Sequence, residues 1–430
     1  MTRIWGVLGS LFGLAAIGIV LVLFLRTQSA SPAPPQAPIV TATMVSVLPT
    51  PSSAPTSQPS PSSTATPVAS PTPFSTITPA PTWTPVPGVV GAILYQRTGP
   101  EGSAIYQLHV DAAGEPIALP AQISGTLGLR GPLFPSPDGK HVAMISSSEG
   151  GWAVFMLDVT NGQVVPLLSS FIREGPNGPG LFYNWHPDSR HVLYRPDWTL
   201  DLWLVDSQGG DHHRLSELTV DGAAISPDGS KLAYGYNESM TSPGQIWLAN
   251  SNGSNPQQVA EGAVAYVFSW SPNGAYLVYT GESSDGSGTP SLSGVLWIMD
   301  PNGQNRRPIL SPFIFGWGFK PVWSPDSRWL ALTGLDAGQN FGCIQKQSQP
   351  NPETCVFEGT AIYIENILTG EMRRLASGID PTWSPDGSMV AFASRQSGIA
   401  ELWVINVDGT ELRQLTNQGE PIRYPIWLER

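Results

Sequence analysis

One short turn, repeated, constrains this chain more than any other feature. Ser-Pro-Asp-Gly, with small variations, occurs at Ser136-Pro137-Asp138-Gly139, His186-Pro187-Asp188-Ser189, Ser226-Pro227-Asp228-Gly229, Ser271-Pro272-Asn273-Gly274, Ser324-Pro325-Asp326-Ser327 and Ser384-Pro385-Asp386-Gly387. The six copies are spaced by 40 to 60 residues. Proline presets φ at the second turn position, the Asx residue bonds its own backbone, and glycine tolerates the exit geometry. The copy at Ser384 shows the whole unit. Thr382-Trp383 enters the turn, Met389 to Ser394 and Glu401 to Val407 are apolar runs of strand length, and Arg413-Gln414-Leu415 begins a fourth strand after the Asp408-Gly409 hairpin. One such sheet cannot cover its own faces, so the unit needs neighbours.

Two further markers keep step with the turn. Each unit has an aromatic in its third strand, at Phe155, Trp203, Trp247, Trp297, Tyr363 and Trp403. A hairpin turn follows each aromatic, at Asn161-Gly162, Gln208-Gly209, Asn252-Gly253, Asn302-Gly303, Thr369-Gly370 and Asp408-Gly409. The two ends hold a split seventh unit. Residues Ala92 to Leu119 carry the later strands, with Tyr106 and Ala113-Gly114 as the markers, while Tyr424-Pro425-Ile426-Trp427-Leu428 matches a first strand with nothing after it. Joining them completes one sheet, closes a ring and removes the open edges that invite aggregation. The expected fold is all-β, a seven-bladed β-propeller, with six or eight blades as alternative counts.

Trp-Ser-Pro-Asp-Gly followed by an apolar strand, then Leu-Trp-Val and Asp-Gly, resembles the WD40-like repeat of the TolB-like β-propeller family. The resemblance covers roughly residues 90 to 430 and implies a propeller; function does not follow from it, because propellers host many unrelated activities. The chain departs from TolB in having seven units where TolB has six blades. In place of TolB's amino-terminal globular domain stand an apolar segment and a linker, so TolB's role in outer-membrane maintenance is not expected to carry over.

The organisation reads as three parts: 1–27 a transmembrane signal anchor, 28–88 a disordered linker, and 89–430 the propeller. From Ile4 to Leu25 no charge interrupts 22 residues, a length that spans a bilayer as a helix. A cleaved signal with Ala30 at its cleavage site is the alternative. No Cys lies near enough for a lipoprotein. The next 60 or so residues are mostly Pro, Ser, Thr, Ala and Val, without charge between Arg26 and Arg97. They cannot bury enough apolar surface to order themselves, and they suit an extended, O-glycosylated stalk. A PxxP ligand for a partner domain is the sharper alternative.

Charge bounds the partners. All 33 acidic residues lie beyond Arg97, against 19 basic residues once Arg3 and Arg26 are set aside, a net charge of −14. Nucleic acid and anionic lipid surfaces are therefore disfavoured. The two cysteines, Cys343 and Cys355, sit in one insertion and are expected to pair as a disulfide in an oxidising compartment. No His or third Cys is nearby to make a metal site there.

Candidate chemistry is sparse. His109, His141, His186, His191, His212 and His213 do not share a register, as ligands converging on the axis of a propeller would. The comparison matters because some TolB-like propellers are pectate-degrading lyases with a His-bound metal. His212-His213 is read as lying in a hairpin turn. The Asp-containing turns lack the ligand alternation of calcium loops, and no GxSxG nucleophile elbow occurs. The first-strand tryptophans Trp185, Trp270, Trp323, Trp383 and Trp427 read as packing residues. No catalytic residue, metal or cofactor is expected.

A ligand surface is expected where fourth strands hand over to first strands, around one mouth of the central channel. Arg173, Glu174, Asn184, Glu261, Tyr266, Lys320, Asp380, Arg423 and Tyr424 lie there. The insertions Glu282 to Gly294 and Asp336 to Gly359 are the other candidates, since loops on a rigid scaffold carry function. The expected role is an extracytoplasmic, membrane-tethered, monomeric propeller that binds a protein or peptide at the cell surface or periplasm without catalysis. A polysaccharide-binding or lyase-type propeller and a passive display module are the alternatives.

Overall fold

The computed structural model describes residues 91–125, 127–129, 131–148, 151–166, 181–195, 201–207, 212–216, 220–236, 244–261, 268–281, 295–309, 320–336 and 359–429. Among them, 28 strands form seven four-stranded sheets. The sheet around the last turn has strands Ile379–Trp383, Met389–Ser394, Glu401–Asn406 and Arg413–Gln414, in that order and antiparallel throughout. Five more follow the same plan, with first strands Phe134–Pro135, Leu181–Trp185, Val220–Ile225, Phe268–Trp270 and Val322–Trp323. The seventh is the split sheet, in which Ile422–Glu429 pairs antiparallel with Gly91–Gly99, followed by Gly102–Val110 and Ala121–Gln122. We call this closing sheet blade 1 and number the others 2 to 7 in chain order.

Seven apolar clusters sit between neighbouring sheets, and their membership proves the ring. Ile93, Tyr95 and Leu108 of blade 1 pack on Ala391, Leu402 and Val404 of blade 7. Leu94 and Ile105 of the same blade pack on Val142, Met144 and Leu157 of blade 2. The other five clusters join blades 2–3, 3–4, 4–5, 5–6 and 6–7. Seven interfaces for seven sheets leave no open end. Both faces of every sheet are covered, which is why the second strands read as continuous apolar runs rather than alternating ones.

The aromatic marker has a partner one strand inward. Tyr106, Trp203, Trp247, Trp297 and Trp403 stand directly opposite Tyr95, Tyr194, Tyr234, Tyr279 and Phe392. The second-strand member is buried in each pair, and the third-strand member is half-buried. Such cross-strand aromatic pairs contribute about 0.5–1 kcal/mol each beyond burial.

First strands touch the first strands of the next blade at several junctions, so they line the axis. Their tryptophans join the blades. The indole N–H of Trp185 donates to Phe134 O at 2.9 Å, Trp270 to Ala224 O at 3.2 Å, Trp323 to Ser269 O at 3.3 Å and Trp383 to Val322 O at 2.9 Å. Each bond runs from one blade to the blade before it, and all four rings are buried. They pack, as their spacing suggested. His212 and His213 correct the expectation: they open the fourth strand His212–Ser216 of blade 3, because their backbone pairs with Val205 and Leu204.

Among the described residues, no helix is long and apolar enough to cross a membrane. The expected anchor at residues 4–25, the linker at 28–88 and the Cys343–Cys355 pair lie outside the described residues.

Candidate functional site

Three successive first strands begin with the same pattern, a polar or aromatic residue, a proline, one residue and tryptophan: Lys320-Pro321-Val322-Trp323, Asp380-Pro381-Thr382-Trp383 and Tyr424-Pro425-Ile426-Trp427. Asp380 and Tyr424 both adopt left-handed backbone, φ 58° and 53°. Asp visits that region readily, whereas a tyrosine there is an outlier that surrounding structure must hold in place. The kink breaks the ladder, so the register shifts across Ile379 and Thr382 in blade 7 and between Leu94 and Gln96, opposite Tyr424, in blade 1.

What holds it is a carboxylate. The Asp380 side chain is 2% exposed, and its Oδ2 accepts Arg423 Nε–H at 2.7 Å and the Tyr424 amide at 3.2 Å. The Asp380 amide donates to Thr333 Oγ1 of blade 6 at 3.2 Å. Arg423 in turn lies over the Tyr424 ring, 4.4 Å from its centroid. One aspartate thus ties three blades at the mouth where first strands begin. Asp380 Oδ1 is buried and has no hydrogen-bond partner among the described residues.

Behind this cluster a second carboxylate braces the segment that leads into blade 1. Glu401 is buried; its Oε1 accepts the amides of Gln418 and Gly419 at 2.8 and 3.1 Å, and its Oε2 accepts Thr416 Oγ–H at 2.5 Å. Arg97 reaches from blade 1 to Glu420 and Gln418 at 2.5 and 2.6 Å.

Lys320 crosses the ring. Its Nζ lies 4.3 Å from the centroid of Phe134, which belongs to the first strand of blade 2. Lys320 opens blade 6, so the two residues stand on opposite sides of a seven-membered ring and meet over its axis. The lysine side chain is exposed to solvent. Desolvation by the protein around it lowers its ammonium to about 8 all the same. An ammonium against an aromatic face is a cation–π contact, stronger where water is scarce.

Of the other expected site residues, Asn184 and Glu261 are described. Asn184 sits at a bulge of the first strand of blade 3, its Oδ1 accepting the Trp185 amide at 2.9 Å. Glu261 ends the outermost strand of blade 4, exposed, with Gln258 Nε2 donating to it at 2.8 Å. Arg173, Glu174 and Tyr266 lie outside the described residues. So do Glu282 to Gly294 and, apart from its two end residues, Asp336 to Gly359. There Asp336 binds Arg374 at 2.6 and 2.8 Å and Tyr363 OH at 2.8 Å, and its amide donates to Gly359 O at 2.8 Å. Phe134 and Thr333 were not foreseen, since nothing in a one-dimensional pattern marks a residue that meets another blade.

The opposite ends of the first strands carry the Ser-Pro-Asp-Gly turns, which touch one another around the second mouth. The Asp138 amide donates to Ser189 Oγ and the Asn273 amide to Ser327 Oγ, both at 3.0 Å. A hollow of about 300 Å³ lies on this face between Asp138, Lys140, Thr160 and Glu429. In the same ring of turns, His186, Asp188 and His191 come together, the one His/Asp/Glu cluster of ligand-forming geometry among the described residues.

No family model matches the chain. Over 200 residues it is 30% identical to an uncharacterized protein of Agrobacterium fabrum, covering 44% of this chain and 65% of that one. Over 132 residues it is 26% identical to the Tol-Pal system protein TolB of Anaeromyxobacter dehalogenans, 31% of this chain and 26% of TolB. The chain thus spans less than two thirds of these curated relatives. Among solved structures, TolB from Acinetobacter baumannii aligns with 77% of this chain and 81% of its own at 16% identity and a TM-score of 0.43. An oligogalacturonate lyase in complex with manganese aligns with 78% and 85% at 14% identity and a TM-score of 0.47. The similarity to TolB-type propellers expected from the repeat is borne out.

Proposed function

We propose that this propeller binds a protein or peptide partner, without turnover, at the channel mouth framed by Lys320, Asp380, Arg423 and Tyr424. The observation that carries the reading is Lys320: a solvent-exposed cation that reaches across to rest on Phe134, its ammonium lowered by the surrounding protein. A carboxylate of an entering peptide replaces a weak cation–π contact by a charge-assisted hydrogen bond, which is the stronger of the two. Tyr424 and Arg423, already stacked, offer an aromatic and a guanidinium beside it, the residue types that anchor interfaces. The uncharged, Pro/Ser/Thr-rich stretch and the apolar run Ile4 to Leu25 support a membrane-tethered, extracytoplasmic setting.

The test uses the full chain in detergent micelles, incubated with membrane extract and compared with Lys320→Ala. The expected outcome is a captured partner whose binding weakens in the variant while the melting curve stays. Because the free ammonium titrates near 8, binding that needs its charge should be full at neutral pH and decline as pH rises beyond about 8. A panel of acidic polysaccharides with and without divalent metal is the counter-experiment. Metal-dependent release of unsaturated sugars would overturn the reading in favour of a lyase.

A further inference from the structure

In five of the six turns the serine hydroxyl does two things at once. It donates to the Asx oxygen two residues on, at 2.5–2.7 Å, and accepts the amide five residues on, at 2.9–3.0 Å. Blade 3 has His186 in that place. Without the hydroxyl, Asp188 Oδ1 takes over the amide of His191 at 2.9 Å as well as that of Arg190 at 2.8 Å. Its Oδ2 is thereby turned toward the two imidazoles, 3.1 Å from His186 Nδ1 and 2.6 Å from His191 Nδ1.

We propose that His186 Nδ1, Asp188 Oδ2 and His191 Nδ1 form a binding site for a divalent first-row transition-metal ion, with zinc as the natural probe. His186 Nδ1 accepts the Asp188 amide in a long bond of 3.3 Å, which fixes that nitrogen at the turn, 3.1 Å from the carboxylate oxygen, and an ion would displace this weak bond. A proton on the imidazole nitrogen or a metal ion satisfies such a nitrogen–carboxylate contact, and the two compete for the same place. The three donor atoms lie within 4.8 Å of one another. A tetrahedral zinc ion with bonds of about 2.0–2.1 Å separates its ligands by roughly 3.3 Å, so small side-chain rotations close the shell. Two imidazoles and a carboxylate are a donor set that zinc and its neighbours accept, and three protein ligands leave a fourth position for water or a ligand atom.

The surroundings favour it. Arg190, the nearest fixed cation in sequence, is drawn to Asp206 Oδ2 by two bonds of 2.9 and 2.6 Å. The turn is preformed by His186 N–H to His191 O at 2.7 Å and Ser189 N–H to His186 O at 3.0 Å. Gly229 of the next turn leaves room for the His186 ring, whose Cε1 and Nε2 would lie 3.5 and 3.6 Å from a Cβ there. All three side chains retain access to solvent, so an ion can enter. Blade 2 is the internal control: His141 occupies the place of His191 and Asp138 that of Asp188, but Ser136 stands where the second imidazole is needed.

The experiment titrates zinc into the full, tag-free, metal-stripped chain by calorimetry, with the melting temperature followed in parallel. The expected result is one saturable site and a rise in melting temperature, because an ion that binds only the folded chain stabilises it. His186→Ser installs the residue of the other five turns, so the fold is kept while zinc affinity falls by about ten-fold or more. Asp188→Asn is the second variant and should lose the site likewise. Zinc binding undiminished in His186→Ser and Asp188→Asn, or no saturable site in the parent chain, overturns the proposal.

Discussion

Ser384 shows how much one hydroxyl contributes to a blade. It is buried, it donates to Asp386 and it accepts the Met389 amide at 2.9 Å. Ser384→Ala strands that amide and should cost about 1–3 kcal/mol, seen as a lower urea midpoint with an unchanged slope. A midpoint equal to the parent's would mean that water replaces the hydroxyl. The partner carboxylates predict an acid limb. Ser226, together with the amide and hydroxyl of Ser230, holds Asp228 down to about 2. A carboxyl depressed in the folded state stabilises above its unfolded value, near 4, and that contribution is lost as pH falls from about 4 to about 2. Asp228→Asn should therefore flatten stability across that window and leave it unchanged in shape at neutral pH; chemical denaturation at pH 2.5, 4 and 7 reads this directly. At residue scale the turns were legible from Pro, Asx and Gly, which act on backbone within a few residues, whereas the two bonds of the serine hydroxyl were not.

At the scale of the blade, the hairpin between third and fourth strands reaches the preceding blade. Gly253, at φ 80°, lies so close to blade 3 that a Cβ would stand 2.3 Å from Leu215 O. Gly253→Ala combines left-handed strain with a backbone clash and should cost about 2 kcal/mol or more. Gly409, at φ 87°, opens onto space, so Gly409→Asn should be nearly neutral. Equal melting temperatures for the two variants would refute the interlock. The glycine at each hairpin was legible, but which glycine touches a neighbour was not: both follow an Asx residue and differ only in what the adjacent blade presents.

For the whole molecule, the closing strand is the decisive element. Deleting Ile422–Glu429 uncovers Gly91–Gly99, removes Arg423 from Asp380 and strips Leu428 and Ile426 from the cluster against blade 2. The truncated chain should melt far lower and aggregate through the exposed edge. A milder probe is Arg423→Met, which leaves the Asp380 carboxylate buried without its cation and should cost roughly 3 kcal/mol. Light scattering and thermal melts on both variants distinguish a closed ring from an open one, for which neither change would matter.

Sequence alone determined the strands, their order within a sheet, seven units and the joining of the two ends. Each follows from chemistry confined to a few residues: proline and Asx at a turn, glycine at positive φ, apolar runs of strand length, and a first-strand motif left over at the C-terminus. Only tertiary structure decided which side chains meet across the ring. Lys320 and Phe134 are 186 residues apart and touch because seven twisted interfaces together set how near opposite blades approach the axis. Asp380 and Arg423 stood in the expected region, yet their pairing depends on two left-handed kinks that no local preference dictates for tyrosine. The His186, Asp188 and His191 cluster lies within six residues and was still missed. Spacing located the turn, but only the bonds of Ser136, Ser226, Ser271, Ser324 and Ser384 reveal what a histidine in that place sets free.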